Sequence, residues 1–370
     1  MAKNKNLNAA ARANKDEFYT QRTDIEHELQ HYWAHFADKV VFCNCDDPFE
    51  SQFFFYFAMK FNFLKLKKLI VTSYTGSPVQ GNLFAPVDDA KPAYKVEINK
   101  IDKEPLNWEG VTDLMNELKA ALGKNSSATV GSNTLSLLEG DGNYLAGDFR
   151  SKECVELLKQ ADIVVTNPPF SLFREYVRQL VDFDKKFLII GNINCITYKE
   201  IFPLIKENKI WLGYRMGRGI SGFYVPDTYE LYGTEAHIDN KGRRIVATNQ
   251  CLWLTNLDIR KRHEDILLYM KYTPEKYPRY DNYDAIEVSK TAEIPMDYFG
   301  AMGVPITFLD KYNPNQFEIL GLLADKRNDN PAFIKGTPTY LDEGHKNYVG
   351  AIVNGKATYA RILIRRKAAE

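Results

Sequence analysis

Three β-branched residues, Ile163, Val164 and Val165, lead into Thr166-Asn167-Pro168-Pro169-Phe170. Proline has no N–H for a sheet ladder, and it biases the residue before it toward extended geometry. The chain therefore leaves a buried strand as a stiff, open turn, with Asn167 held at the strand's carboxyl end. In open α/β sheets that edge is where ligands sit. The chemistry such a turn suits is methylation of an amide-like exocyclic amino group, such as N6 of adenine. The lone pair of that nitrogen is delocalised into its ring, which leaves it planar and a poor nucleophile. The side-chain oxygen of Asn167 and the main-chain carbonyl of Pro168 offer acceptors for both N–H bonds, drawing the nitrogen toward tetrahedral geometry. Fixed acceptors that strengthen as charge develops favour the transition state over the ground state. Phe170 adds an apolar face for a planar ring. Stacking a base on an aromatic side chain is worth ~1–3 kcal/mol, comparable with the penalty for extruding one from a duplex. A proline-rich strand end with a buried Phe is the bland alternative.

The elements needed to hold this turn are legible around it. Ser171 has the chemistry of an N-cap for a helix running past Val177. Upstream, residues 39–43 read as a first parallel strand, 44–48 as the loop at its carboxyl end and 51–63 as a buried aromatic helix, with Lys68–Thr72 as the second strand. That strand–loop–helix–strand unit is half of a doubly wound, Rossmann-like sheet. Asp46 or Asp47 suits a cationic amine near the strand ends, although capping the next helix is a rival role for Asp47. Residues 151–160 read as a helix, 186–190 and 210–213 as further strands, 198–208 as a helix, and 250–254 as a closing, antiparallel strand.

Beside this edge lies a Gly- and Arg-rich excursion over 214–249. It carries Arg215, Arg218, Phe223, Tyr224, Arg243 and Arg244, a composition that suits phosphate and groove contact. A solvated hairpin is the ordinary alternative. Phe223 or Tyr224 is positioned to face Phe170 across a flipped base. Residues 76–143 form a turn-rich insertion containing a short strand at 94–98 and a helix at 111–122. A nuclease reading of Asp88, Asp89 and Lys91 lacks a partner carboxylate.

Composition sets the class. The 370 residues suffice for one large domain or two ordinary ones, and the 26% charged and 45% hydrophobic fractions are those of a globular chain. Forty-eight basic and 48 acidic residues cancel, which leaves room only for a local basic cleft. Five scattered cysteines argue against a disulfide framework and for a reducing, cytoplasmic setting, and Cys43-x-Cys45 has the wrong spacing for a zinc knuckle. No metal site and no membrane span are expected. Residues 1–15 read as a frayed basic arm. From residue 259 the composition shifts to Tyr, Pro and Lys; a strand at 303–309, a helix at 316–323 and a terminal strand at 359–366 make a smaller C-terminal module there.

Asn167-Pro168-Pro169-Phe170 resembles the Asn/Asp-Pro-Pro-aromatic motif of amino-group methyltransferases. The stretches 162–176, Asp16-Glu17-Phe18-Tyr19-Thr20-Gln21, Cys43-Asn44-Cys45-Asp46-Asp47-Pro48 and 230–236 resemble the EcoRI-type adenine-specific DNA methyltransferases. The likeness runs from about residue 16 to 317 and resumes near 359–364. It implies S-adenosylmethionine as cofactor and double-stranded DNA as substrate. It further implies a monomer, a GAATTC-like site, and the guarding of host DNA from a cognate endonuclease that forms no stable complex with it. In this resemblance Phe18, Tyr19 and Thr20 close over the methionine part of the cofactor. Asn44, Asp46, Asp47 and Ser73 lie along the cofactor, Asp148 accepts from its adenine amino group, and Phe149 packs on that ring. Two departures stand out: the glycine-rich turn common after the first strand is absent, and Ser73-Tyr74 replaces the acid usual after the second. Residues 16–258 would be catalytic and 259–370 would read the target. Methylation of RNA or of protein glutamine, and a catalytically dead DNA-binding fold, are the rival readings.

Overall fold

The computed structural model describes residues 19–75, 92–102, 106–216, 220–225, 236–239, 242–246, 250–323, 332–334 and 350–368. The expectations placed on the 1–15 arm, Phe18, Asp88, Asp89, Lys91, Arg218 and residues 230–235 fall outside these. The chain forms two compact units, Met1–Ile193 with Gly213–Leu257, and Asn194–Leu212 with Asp258–Glu370.

A two-residue strand, β1 (Tyr19–Thr20), precedes helix α1 (Arg22–Leu29), which continues as a 3-10 helix to His35. Ile25, Leu29 and Tyr32 line its buried face at helical spacing. The first parallel strand is β2 (Val40–Cys43), and α2 (Gln52–Met59) follows it. Ser51 caps α2 by accepting the Phe54 N–H at 3.2 Å, so the cap is not Asp47. Next come β3 (Lys68–Thr72), β4 (Tyr94–Ile98), α3 (Trp108–Leu122) and the hairpin β5 (Ser127–Val130) and β6 (Asn133–Leu137). Helix α4 (Lys152–Gln160) is capped by Ser151, which accepts from Cys154 N at 3.3 Å, and it leads into β7 (Ile163–Thr166).

After the diproline turn a 3-10 helix (Phe170–Leu172) intervenes before α5 (Phe173–Asp182). Leu172, not Ser171, therefore occupies the capping position of that helix. Phe173, Tyr176, Val177 and Leu180 are buried at i, i+3, i+4 and i+7, and burial of a Phe, Val or Leu side chain is worth roughly 1.5–3 kcal/mol each. Strand β8 (Lys186–Asn192) follows. The helix expected over 198–208 contracts to α6 (Phe202–Lys206), because Pro203 fits only a first turn. Then come β9 (Trp211–Met216), β10 (Phe223–Val225), β11 (Ala236–Ile238), β12 (Arg244–Val246) and β13 (Cys251–Thr255).

Nine strands make the main sheet, in the order β5-β6-β4-β3-β2-β7-β8-β13-β9. Its centre, β3-β2-β7-β8, is parallel, and β4 and β13 flank it antiparallel. The insertion thus extends the sheet. Strand β13 runs antiparallel as expected, yet β9 is outermost beyond it. Val41, Phe42, Leu69, Ile70, Val71, Val164 and Val165 are fully buried, which explains their unbroken apolar runs. From β2 the chain moves to β3 on one side and returns at β7 on the other. That reversal opens a crevice at the strands' carboxyl ends. A second sheet, β1-β10-β12-β11, is built from the excursion and the N-terminal strand.

The second unit is organised on β14 (Ile286–Glu287), β15 (Met302–Pro305), β16 (Phe317–Leu322), the small hairpin β17 (Ile352–Val353) and β18 (Lys356–Ala357), and β19 (Arg361–Arg366). Its sheet order is β14-β15-β19-β16, and α6 packs on β16. The helix expected at 316–323 is therefore a strand. Phe317 and Ile319 point inward while Glu318 points out, and the register shifts between Ile319 and Gly321. The strand expected at 303–309 stops at Pro305, where a 3-10 helix begins. Among the described residues no helix is long and apolar enough to cross a membrane.

Candidate active site

The loops that follow β2, β3 and β7 emerge together where the strand order reverses. The loop after β2 is held from both sides. Asp46, 6% exposed, donates its N–H to Thr72 O at 3.0 Å. Its carboxylate accepts from Ser51 Oγ at 3.0 Å and from Thr166 Oγ1 at 2.9 Å. The Thr166 hydroxyl also lies against the Asn44 carbonyl. Asn44 is buried, and its Oδ1 accepts from the Tyr176 hydroxyl on α5. Burial pushes the Tyr176 phenol well above its usual pKa, so it keeps the proton it donates. The residue flanking the diproline motif and the helix behind it thereby fix the loop of a strand more than a hundred positions earlier.

The missing glycine turn has a local substitute. Cys45 adopts φ +60°, the left-handed conformation that favours glycine. Asp47 closes the rest of the loop: its Oδ1 accepts from Phe49 N at 2.9 Å, and its carbonyl accepts from the Glu50 and Ser51 N–H groups.

The loop before α4 holds the second carboxylate. Gly147 takes φ +80°, and a Cβ there would sit 1.8 Å from the Ser73 carbonyl oxygen, so only glycine permits this approach. Ser73 itself is buried and turned to β4, where its Oγ accepts from Tyr94 N at 2.8 Å. Asp148 is buried beside it and bound by Arg150 through a bidentate pair, with Oδ2 to Nη2 at 2.7 Å. Holding that anion raises the Arg150 pKa further above its ordinary value. The Phe149 ring is buried and meets Tyr176 edge-on, centroids 5.0 Å apart.

Of the motif itself, Pro168 is buried and Asn167, Pro169 and Phe170 are half-buried at the mouth of the crevice. The Phe170 ring meets Phe223 edge to face, with centroids 6.3 Å apart and planes at 71°. Phe223 is in turn the strand partner of Thr20, and Tyr224 that of Tyr19. Alternation along β10 sends Tyr224 to the other face, where the Arg243 guanidinium lies 4.2 Å above its ring. Phe223, and not Tyr224, meets Phe170, but the two rings touch directly, so Phe223 does not face it across a space for a base. Arg243 is exposed and paired with Asp239, whereas Arg215 is exposed at the end of β9. Arg244 is half-buried, and its Nε has no hydrogen-bond partner among the described residues. Thr166, Tyr176, Gly147 and Arg150 were not marked by sequence reasoning, and Gly147 alone carried a local signal, as a glycine just before the acid.

A parallel sheet that reverses at β2 and β7, with an Asn-Pro-Pro-Phe turn at the crevice, defines an α/β methyltransferase. The chain belongs to the family described as adenine-specific methyltransferase EcoRI, whose model matches residues 6–367. It is similar to Type II methyltransferase M.EcoRI of Escherichia coli, 50% identical over 368 residues that cover 99% of this chain and 98% of that protein. Type II methyltransferases M.MgeORF184P of Mycoplasma genitalium and M.MpnI of Mycoplasma pneumoniae are 36% and 34% identical, each over 98% of both chains. No solved structure gives a significant match. The protein is an adenine-specific DNA methyltransferase of the Type II kind.

Proposed function

We propose that this chain draws its methyl group from S-adenosylmethionine, swings an adenine out of duplex DNA and methylates N6 within a specific site. The observation that carries the reading is one hydroxyl. Thr166, adjacent to Asn167, is hydrogen-bonded to Asp46 and the Asn44 carbonyl, so the loop for the cofactor and the turn for the base form one rigid edge. The residues present fit the cofactor. Asp46 and Asp148 are buried carboxylates suited to an ammonium and an amino group, and Phe149 offers a ring beside Asp148. The buried Thr20 hydroxyl has no hydrogen-bond partner among the described residues, which suits a polar ligand.

Bound there, S-adenosylmethionine supplies an electrophilic methyl group on a sulfonium sulfur. The chain supplies orientation and electrostatics. Asn167 Oδ1 and the Pro168 carbonyl accept the two N–H bonds of the adenine amino group. Phe170, backed edge-on by Phe223, is the wall on which the base stacks. Arg215, Arg218, Arg243 and Arg244 contact phosphates or groove edges. The catalytic part is 16–258, and 259–370 forms the target-recognition module; the division of the chain between residues 257 and 258 supports that boundary, although Asn194–Leu212 goes with the second unit. The enzyme works as a cytoplasmic monomer on a GAATTC-like site, beside a cognate endonuclease with which it forms no stable complex.

Digestion of DNA treated with the protein and tritiated S-adenosylmethionine tests this. Label is expected in N6-methyladenine alone, and sequencing of the modified bases should return one short site. Label in another base, or scattered over unrelated sequences, would reject the reading.

A further inference from the structure

Among the described residues, the Asp148 carboxylate takes all of its hydrogen bonds from one residue two positions on. Its Oδ1 accepts the Arg150 main-chain N–H and the Nε–H, each at 2.9 Å, and Oδ2 accepts Nη2 at 2.7 Å. A carboxylate offers about four acceptor positions. Three are filled from one side, and a single one, on Oδ2, is left. The fork is itself clamped: the guanidinium lies 4.6 Å over the Tyr144 ring and 5.3 Å over the Phe149 ring, and its Nη1 reaches Glu175 Oε2 at 3.3 Å. With two anions and two rings around it, Arg150 has one orientation, and it imposes one on the Asp148 carboxylate. A lysine would keep the charge and lose that plane.

We propose that Arg150 is the positioning residue that sets cofactor-base specificity, by leaving Asp148 a single fixed acceptor for the 6-amino group of the cofactor's purine. The inference rests on the reading of Asp148 given above. A 6-amino group donates to the remaining position. A 6-oxo group brings its own lone pairs against a carboxylate that cannot turn away, and leaves that buried oxygen unpaired. Without the fork the carboxylate rotates and recruits water, and the two purines become more nearly equal.

The test is calorimetric binding of S-adenosyl-L-homocysteine and S-inosyl-L-homocysteine to the full chain, two ligands that differ at position 6 and in the N1 proton that accompanies the 6-oxo group. Wild type should prefer the adenosyl compound by on the order of a hundredfold or more, the cost of leaving a buried charged acceptor without its donor. Arg150→Gln and Arg150→Lys, taken as folded when their circular dichroism and melting match wild type, should lose about tenfold for the adenosyl ligand and little for the inosyl one. Folded variants that weaken both ligands equally, or that keep the wild-type ratio, would overturn the inference. So would a wild-type ratio near one, whatever the variants do. Wild type that binds neither ligand sinks the cofactor reading itself, a separate result.

Discussion

The hydroxyl of Thr166 lies 2.9 Å from the carboxylate of Asp46, across 120 positions of sequence. One residue thereby ends the strand that carries the diproline turn and anchors the loop of the neighbouring strand. Thr166→Val keeps the shape and removes the donor. A buried carboxylate that loses a partner costs ~1–3 kcal/mol or more, so the melting temperature should fall and S-adenosyl-L-homocysteine should bind about tenfold more weakly. Thr166→Ser should restore most of both. Unchanged melting and binding in the Val variant would show that this contact holds nothing together.

In the proposed mechanism Asn167 is the acceptor on which transfer depends, and it belongs to the turn after β7 rather than to the loop proposed for the cofactor. Asn167→Ala should leave the dissociation constant for S-adenosyl-L-homocysteine at its wild-type value. It should lower kcat by on the order of 10²–10³, as loss of one preorganised hydrogen-bonding group does. Single-turnover tritium transfer reads this directly, and near-normal turnover would remove Asn167 from the mechanism.

The parallel strands were legible because each is a short apolar run bounded by charge or proline, as in Ile163–Thr166. Ser51 and Ser151 were legible as helix starts because capping is local. The stretch 316–323 misled because apolar residues at 317, 319, 320, 322 and 323 satisfy both a helical stripe and an alternating strand. Pairing with β19 decided between them. Phe223 was placed opposite Phe170 only as one of two candidates, since strand phase selects between adjacent residues and nothing local reveals it. The partners of Asn44 and Asp46 lie 132 and 120 positions away, so no spacing rule exposes Tyr176 or Thr166. Topology creates those contacts, and periodicity carries no trace of them.

Phe170 and Phe223 form an edge-to-face pair at the mouth of the crevice. If Phe170 is the stacking wall and Phe223 its backing, Phe170→Ala should weaken base capture by ~1–3 kcal/mol. Phe223→Ala should cost less, and a coupling of about 0.5–1.5 kcal/mol should appear in the double-mutant cycle. Fluorescence of 2-aminopurine at the target position, which brightens on unstacking, measures capture for all four proteins. Strictly additive losses would mean that the two rings act on the base independently.

Asp24 lies in the first turn of α1, 6% exposed, and its Oδ2 accepts from the Ser221 N–H at 2.8 Å and from Ser221 Oγ at 2.9 Å. Burial raises its pKa above 3.8, against the opposing pull of the Ser221 donors and of His27. The folded state therefore holds more protons than the unfolded one between 3.8 and the raised value. Stability falls as pH climbs through that window, and the cost persists at neutral pH. Asp24→Asn removes the ionisation and keeps an oxygen for both Ser221 donors. It should melt higher than wild type at pH 7, and the gap should narrow as the buffer is taken down toward pH 4. A gap of the same size across that range, or a variant less stable at pH 7, would mean that the ionised carboxylate is worth more to the Ser221 turn than its desolvation costs.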